Sequence, residues 1–272
     1  MNLFPFENVR DKQDELMQKA SEAIESGGNL VAHAPTGLGK SAASITPAIE
    51  YARENDKTVF FVTPRHSQHQ IAIETVKEMN ARHNAGISSV DIIGKSHLCE
   101  GETGVRGSEG PDCPRHDATF TDSHELTDRA KRRIKGFRHK SLTAEEVKKR
   151  AKKVCPYQIL MNMINGSDVV VADYFHIFHP GVRDIVLEKS GLELEDIIII
   201  VDEAHNLPSR TRSLFSASVS MPNLKKAKTE AETFGYYEEE RNLEQMQRAI
   251  HDIARDKLGQ QSHEEKLKKK TL

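Results

Sequence analysis

The rest of the chain hangs on Asn29-Leu30-Val31-Ala32-His33-Ala34-Pro35-Thr36-Gly37-Leu38-Gly39-Lys40-Ser41. It reads as a short apolar strand, a tight loop with two glycines, and a Lys-Ser pair opening a helix. Bare backbone N–H groups at such a turn, with the positive end of the helix dipole behind them, make a seat for phosphate oxygens. Gly37 and Gly39 let the backbone approach those oxygens without a Cβ in the way. Lys40 is expected to reach the β- and γ-phosphates of ATP, and the Ser41 hydroxyl to ligate Mg2+. Ala34 stands where the phosphate-loop pattern has its first glycine, and is small enough to be tolerated. The nucleotide-binding loop is therefore read as Ala34, Pro35, Thr36, Gly37, Leu38, Gly39, Lys40 and Ser41.

Upstream, Leu16, Met17, Ala20, Ala23 and Ile24 recur at helical spacing, behind Phe4, Arg10 and Gln13. A Gln just ahead of a phosphate loop can pair an adenine through its amide donor and acceptor; a Gln opening a helix can equally be solvated. Gly27-Gly28 ends that helix. Downstream a helix runs to about Glu54, and Thr58–Thr63 is a continuous β-branched and aromatic run suited to a strand buried on both faces. A helix with Ile71, Ile73, Val76 and Met79 leads to the strand Val90–Ile93. This alternation predicts an α/β fold, a parallel sheet with helices on both faces.

The alternation stops at Gly94. From Lys95 to Lys153 no convincing strand appears, and residues 129–153 carry twelve Lys or Arg against Glu145 and Glu146. Such a run is either a solvated helix pair or a surface that tracks nucleic-acid phosphates. The pattern resumes with a helix at Gln158–Ile164, the strand Asp168–Ala172, and the run Asp196–Val201 ending in Asp202-Glu203-Ala204-His205. Open parallel sheets bind ligands at the carboxyl ends of their strands. Asp202 is thus expected to hold Mg2+, Glu203 to orient or deprotonate the attacking water, and His205 to relay nucleotide state. Beyond Pro208 only helices are expected, with Leu243, Met246, Ile250, Ile253 and Leu258 as one stripe.

Composition bounds the reading from outside. The net charge is −2 over 272 residues, so the local distribution of charge matters more than its sum. The first residues lack a basic segment followed by an apolar one, so no signal peptide is expected, and Ile197–Val201 is too short to cross a bilayer. Three cysteines without a secretion signal suit free thiols or metal ligands in a reducing cytoplasm. Cys99, Cys113 and Cys155 all fall in the strand-poor insertion, which suggests a metal staple for a module that buries little apolar surface.

The order of these segments carries a resemblance. The phosphate loop is followed by Thr63-Pro64-Arg65-His66-Ser67-Gln68, His97-Leu98-Cys99, Cys155-Pro156-Tyr157, Val169–Tyr174 and Val201-Asp202-Glu203-Ala204-His205. Together they resemble the XPD/DinG family of iron–sulfur superfamily 2 DNA helicases, most like the archaeal XPD branch. The resemblance implies a RecA-like first motor domain (1–94 and 156–207), a 4Fe–4S insertion (95–155) and the start of a helical Arch domain (208–272). It implies 5′ to 3′ movement on single-stranded DNA, with Thr63 to His66 on the DNA phosphates and the basic insertion at a single-strand/duplex junction.

Two departures stand out. The family has four cysteines, the second and third as Cys-x-x-Cys, and here that pair is Cys113-Pro114-Arg115-His116. His116 could ligate iron, a cluster could have three thiolates and an open iron, the set could hold zinc, or no metal is bound. The second is length: the family's later coupling motif and its arginine-finger motif do not appear, so the chain reads as an N-terminal portion lacking motor domain 2. The alternative is a nucleotide- and DNA-binding module without motor activity. A small-molecule kinase would explain neither the cysteines nor Asp-Glu-Ala-His.

Overall fold

The computed structural model describes residues 3–99, 113–216 and 218–257, in two compact units, Met1–Phe215 and Ser216–Leu272. The first unit opens with α1 (Gln13–Glu25), α2 (Lys40–Glu54), β1 (Thr58–Thr63), α3 (His66–His83) and β2 (Ser89–Ile92). Four helices follow, α4 (Lys95–Leu98), α5 (Pro114–Asp117), α6 (Asp128–Phe137) and α7 (Ala144–Ala151). Then come α8 (Pro156–Met163), β3 (Val169–Asp173), α9 (Phe175–Phe178), α10 (Pro180–Ser190), β4 (Ile197–Val201) and α11 (Leu207–Leu214). The second unit holds α12 (Met221–Phe234) and α13 (Tyr237–Lys257).

The four strands form one parallel sheet in the order β2-β3-β1-β4. Strand periodicity explains how it is covered: successive side chains point to opposite faces. Val59, Phe61, Val169 and Val171 pack with Ile45 and Ile49 of α2 and Ile73, Val76 and Met79 of α3. Phe60, Val62, Val90, Ile92 and Val170 pack on the other face with residues of α6, α7, α8 and α10. The expected α/β architecture with helices on both faces is therefore present. The insertion joins that second core, contributing Ile134, Phe137 and Val147, each worth about 1.5–3 kcal/mol when fully buried.

Among the described residues the insertion contains no strand, only an isolated bridge between Phe120 and Leu126. Its helices are locally encoded. Thr127 caps α6, and Thr143 with Glu146 forms a capping box on α7. Arg129, Lys131, Arg132, Lys135, Lys149 and Arg150 all remain exposed.

One expected element is absent from the sheet. Residues 29–33 form no strand; Leu30 is 41% and Val31 95% exposed. A strand is stable only when a neighbour pairs its backbone and something covers its side chains. Here β4 is the edge strand, and Ile199 on it is itself 40% exposed.

In the second unit, α12 and α13 pack on one another, with Lys228 within 4.0 Å of carboxylates of Glu232, Glu240 and Glu244. Leu243, Ile250 and Ile253 are half-buried and Met246 exposed, so the expected stripe is a partial one; Leu258 lies outside the described residues.

Candidate nucleotide site

Gly37 and Gly39 adopt φ of 90° and 84°, a region that costs an L side chain roughly 1–2 kcal/mol. Gly39 is the N-cap of α2, and a Cβ there would collide with the Gln13 amide. Gln13 is 1% exposed; its Nε2 donates to the Gly39 carbonyl at 3.0 Å while its Oε1 accepts the Arg10 N–H at 3.0 Å. The Arg10 guanidinium donates to the Gly37 carbonyl. In this arrangement Gln13 and Arg10 brace the loop from behind, and the Gln13 amide is engaged with backbone. Lys40 Nζ folds over its own loop toward the carbonyls of Ala34 (3.3 Å) and Pro35 (3.4 Å). Pro35, Thr36 and Gly37 are exposed, while Ala34, Leu38, Gly39, Lys40 and Ser41 are half-buried.

The acidic turn faces this loop. The Asp202 N–H donates to the Val62 carbonyl at 2.9 Å, which carries the β1–β4 ladder one residue further. Burial raises the Asp202 carboxyl, the neighbouring Glu203 carboxylate raises it further, and the Lys40 ammonium opposes them. The Asp202 carboxyl thus feels the Lys40 charge. Glu203 has φ 51°, an uncommon conformation for a side-chain-bearing residue. Its Oε2 lies 3.3 Å from His205 Nδ1, and Asn206 Nδ2 donates to His205 Nε2 at 3.0 Å. Together these contacts favour the Nδ1–H tautomer of His205.

Parallel registration sets three strand ends side by side. Thr63 is aligned with Asp173, and Val62 with Val201, so Asp173, Thr63 and Asp202 form a row across β3, β1 and β4. Thr63 Oγ1 donates to the Arg65 carbonyl at 3.0 Å, and His66 Nε2 lies 2.7 Å from Asp173 Oδ2. The Tyr174 N–H donates to the Thr63 carbonyl at 3.1 Å, and its hydroxyl donates to the carbonyls of Asp202 and Glu203. Burial, then the charges of Asp202 and Glu203, push the Tyr174 hydroxyl up to about 12, so it stays a neutral donor.

Sequence reasoning assigned no role to His69, Asp91 and Asp173. The His69 side chain is 2% exposed, with Nδ1 2.6 Å from Asp91 Oδ1 and Nε2 3.4 Å from Asp173 Oδ1. Burial alone would lower its pKa, but its close contacts with the Asp173 and Asp91 carboxylates outweigh that and raise it to about 9. Asp173 is held below the usual carboxylate range: burial works against this, and His69 and then His66 overcome it. Asp91 Oδ2 also accepts the Ala144 N–H at 2.7 Å, tying the start of α7 to β2. The available signals were a His at helical spacing with Ile73 and Val76, and a carboxylate inside the apolar run Val90-Asp91-Ile92.

Cys155 is buried as the N-cap of α8. Burial pushes its thiol up, backbone N–H groups of Gln158 and Tyr157 act against that, and the sulfurs of Cys99 and Cys113 add to the rise. Cys155 therefore feels both of the other sulfurs. His116 Nδ1 is 3.7 Å from Asp117 Oδ1, and its ring is 5.1 Å from that of Phe120. Among the described residues, no group of three or more His, Cys, Asp or Glu is spaced to hold a metal ion. Nor is any helix long and apolar enough to cross a membrane.

Known proteins place these features in context. The DEAD_2 family profile matches residues 61–224, and the DEAD/DEAH box helicase profile residues 14–103. The chain is 26% identical over 231 residues to the ATP-dependent DNA helicase XPD of Sulfolobus acidocaldarius, covering 82% of this chain and 38% of that protein. It is 24% identical over 253 residues to the general transcription and DNA repair factor IIH helicase subunit XPD of Arabidopsis thaliana, covering 82% and 33%. A solved structure described as truncated XPD superposes with a TM-score of 0.58 at 20% identity, over 95% of this chain and 71% of that one. The chain thus spans well under half the length of these curated relatives.

Proposed function

The chain belongs to the DEAD_2 family of XPD-like helicases, and from that premise we propose that it supplies the ATP-binding half-site of a DNA motor. The observation that carries this reading is the glycine-lysine loop at the start of α2, with Gly37 and Gly39 at positive φ and the Asp202–Glu203 turn at the carboxyl end of β4, where Asp202 feels the Lys40 charge. ATP would sit on residues 34–41, with Lys40 on its phosphates and Ser41 and Asp202 holding Mg2+. Glu203 would orient the attacking water, and His205, 3.3 Å from the Glu203 carboxylate, would carry nucleotide state outward. Gln13 shapes the loop and borders the adenine side.

Single-stranded DNA, or its junction with duplex, would track the exposed basic residues of α6 and α7 and meet Thr63 to His66, in the 5′ to 3′ sense of the family. The domain reading stands as motor residues 1–94 and 156–207, insertion 95–155 and Arch residues from 208. Cys99, Cys113 and Cys155, with His116 as the fourth position, would hold an iron–sulfur cluster. This reading rests on the family's cysteine pattern, since the described residues bring no three such groups to metal-binding distance. The cluster would staple the insertion and tune nothing at the ATP site directly.

A motor that moves strands needs a second domain to close on the nucleotide and supply an arginine finger, worth orders of magnitude in turnover. The 272-residue chain is therefore expected to hydrolyse ATP slowly or not at all and to leave a forked DNA duplex intact. Processive unwinding by this chain would overturn the half-site reading. Iron and sulfide assays on anaerobically purified protein test the cluster. His116→Cys should strengthen its visible absorbance, and an unchanged spectrum would remove His116 from the ligand set.

A further inference from the structure

The neighbouring residues Asp173 and Tyr174, at the end of β3, touch both halves of the site while belonging to neither. Asp173 points its carboxylate at His66 (2.7 Å) and at the buried His69 (3.4 Å). Tyr174, 3% exposed, donates its backbone N–H to Thr63 and its hydroxyl to the carbonyls of Asp202 and Glu203. One dipeptide therefore holds the Thr63–His66 segment with one set of bonds and the acidic turn with the other.

We infer that Asp173 and Tyr174 are positioning residues that couple nucleotide occupancy at Asp202–Glu203 to the conformation of the Thr63–His66 segment. The inference rests on the proposed function, which gives the two segments their ligands, and adds the connection between them. Coupling requires an element with two arrangements that both ligands bias. The turn supplies one: Glu203 sits at φ 51°, a backbone conformation that a non-glycine residue keeps only when its surroundings hold it there. Part of that hold is the Tyr174 hydroxyl on the two carbonyls that flank the Glu203 Cα. When a cation and phosphates draw the Asp202 and Glu203 carboxylates toward the loop, those carbonyls move with the turn and the hydroxyl must follow or let go. A shift of the Tyr174 backbone carries with it the N–H that donates to Thr63 and the neighbouring Asp173 that holds the His66 ring. His69 keeps Asp173 ionised and in place from the buried side, with Asp91 behind it, so displacement passes toward His66 and not into the core.

The test is a linkage measurement on the whole chain. Affinity for a non-hydrolysable ATP analogue with Mg2+ is measured with and without oligo-thymidine, and affinity for oligo-thymidine with and without the analogue. The intact chain should show one reciprocal factor of about fivefold or more. Tyr174→Phe and Asp173→Asn should each bring that factor to within about twofold of unity. A purely structural role would weaken both ligands and lower the melting temperature while leaving the factor in place, and that result overturns the inference. Intact chain that binds both ligands with no mutual effect overturns it as well. Should the intact chain bind neither ligand, the half-site reading itself fails first. A second measurement needs no variant: amide hydrogen exchange at residues 63–66 should change when the analogue alone is added, and unchanged exchange counts against the connection.

Discussion

At the residue scale the most consequential side chain is His69. Its pKa is raised to about 9, so below the ordinary value near 6.5 the folded and unfolded chains both carry the proton. Between those values the folded chain binds a proton that the unfolded chain has released, so stability falls as pH rises through that window. The melting temperature should therefore decline from about pH 6.5 to 9 with a slope that His69→Gln flattens. A variant with the intact chain's slope would deny the buried imidazolium. Val31 offers a contrast. It lies in the decisive stretch yet is 95% exposed, so Val31→Asp should change stability by less than about 0.5 kcal/mol in a denaturant titration.

At the element scale, most of the fold was legible and the exceptions have physical causes. Strands such as Thr58–Thr63 and helices such as α2 announce themselves through local composition. Residues 29–33 look like a strand by the same criteria, but pairing is a long-range property that composition does not contain. The site was legible where chemistry is local, as in the glycine-lysine loop and the acidic turn. It was not legible where partners come from distant segments, as with His69, Asp91 and Asp173, which only the sheet brings together. Helix α7 shows both kinds of information. Its capping box is local, and Thr143→Ala should cost about 1 kcal/mol. Its tie to Asp91 is non-local, and Asp91→Ala should cost about 3–5 kcal/mol, because it also strands the His69 cation. Thermal or denaturant melting of the two variants ranks them; equal losses would contradict the buried pair. On α6, Arg132→Glu and Lys135→Glu should weaken oligo-thymidine binding and reduce its salt dependence by a log–log slope of about 0.7 per lost phosphate contact. An unchanged slope would take DNA off this face.

At the scale of the whole molecule, the carboxyl ends of three adjacent strands gather the parts of the proposed half-site. The glycine-lysine loop opens α2, the acidic turn ends β4, the Thr63–His66 segment follows β1, and Asp173-Tyr174 stands beside them at the end of β3. The basic insertion shares the sheet's second core, so its exposed charge is carried on the same unit that holds the nucleotide loop. The proposed half-site should bind nucleotide by itself, and that is the claim most open to direct test. Titration of the 272-residue chain with a fluorescent ATP analogue should show saturable binding that requires Mg2+, is lost in Lys40→Ala and loses its Mg2+ dependence in Asp202→Asn. Binding by Lys40→Ala equal to that of the intact chain, or none by the intact chain, would contradict the account.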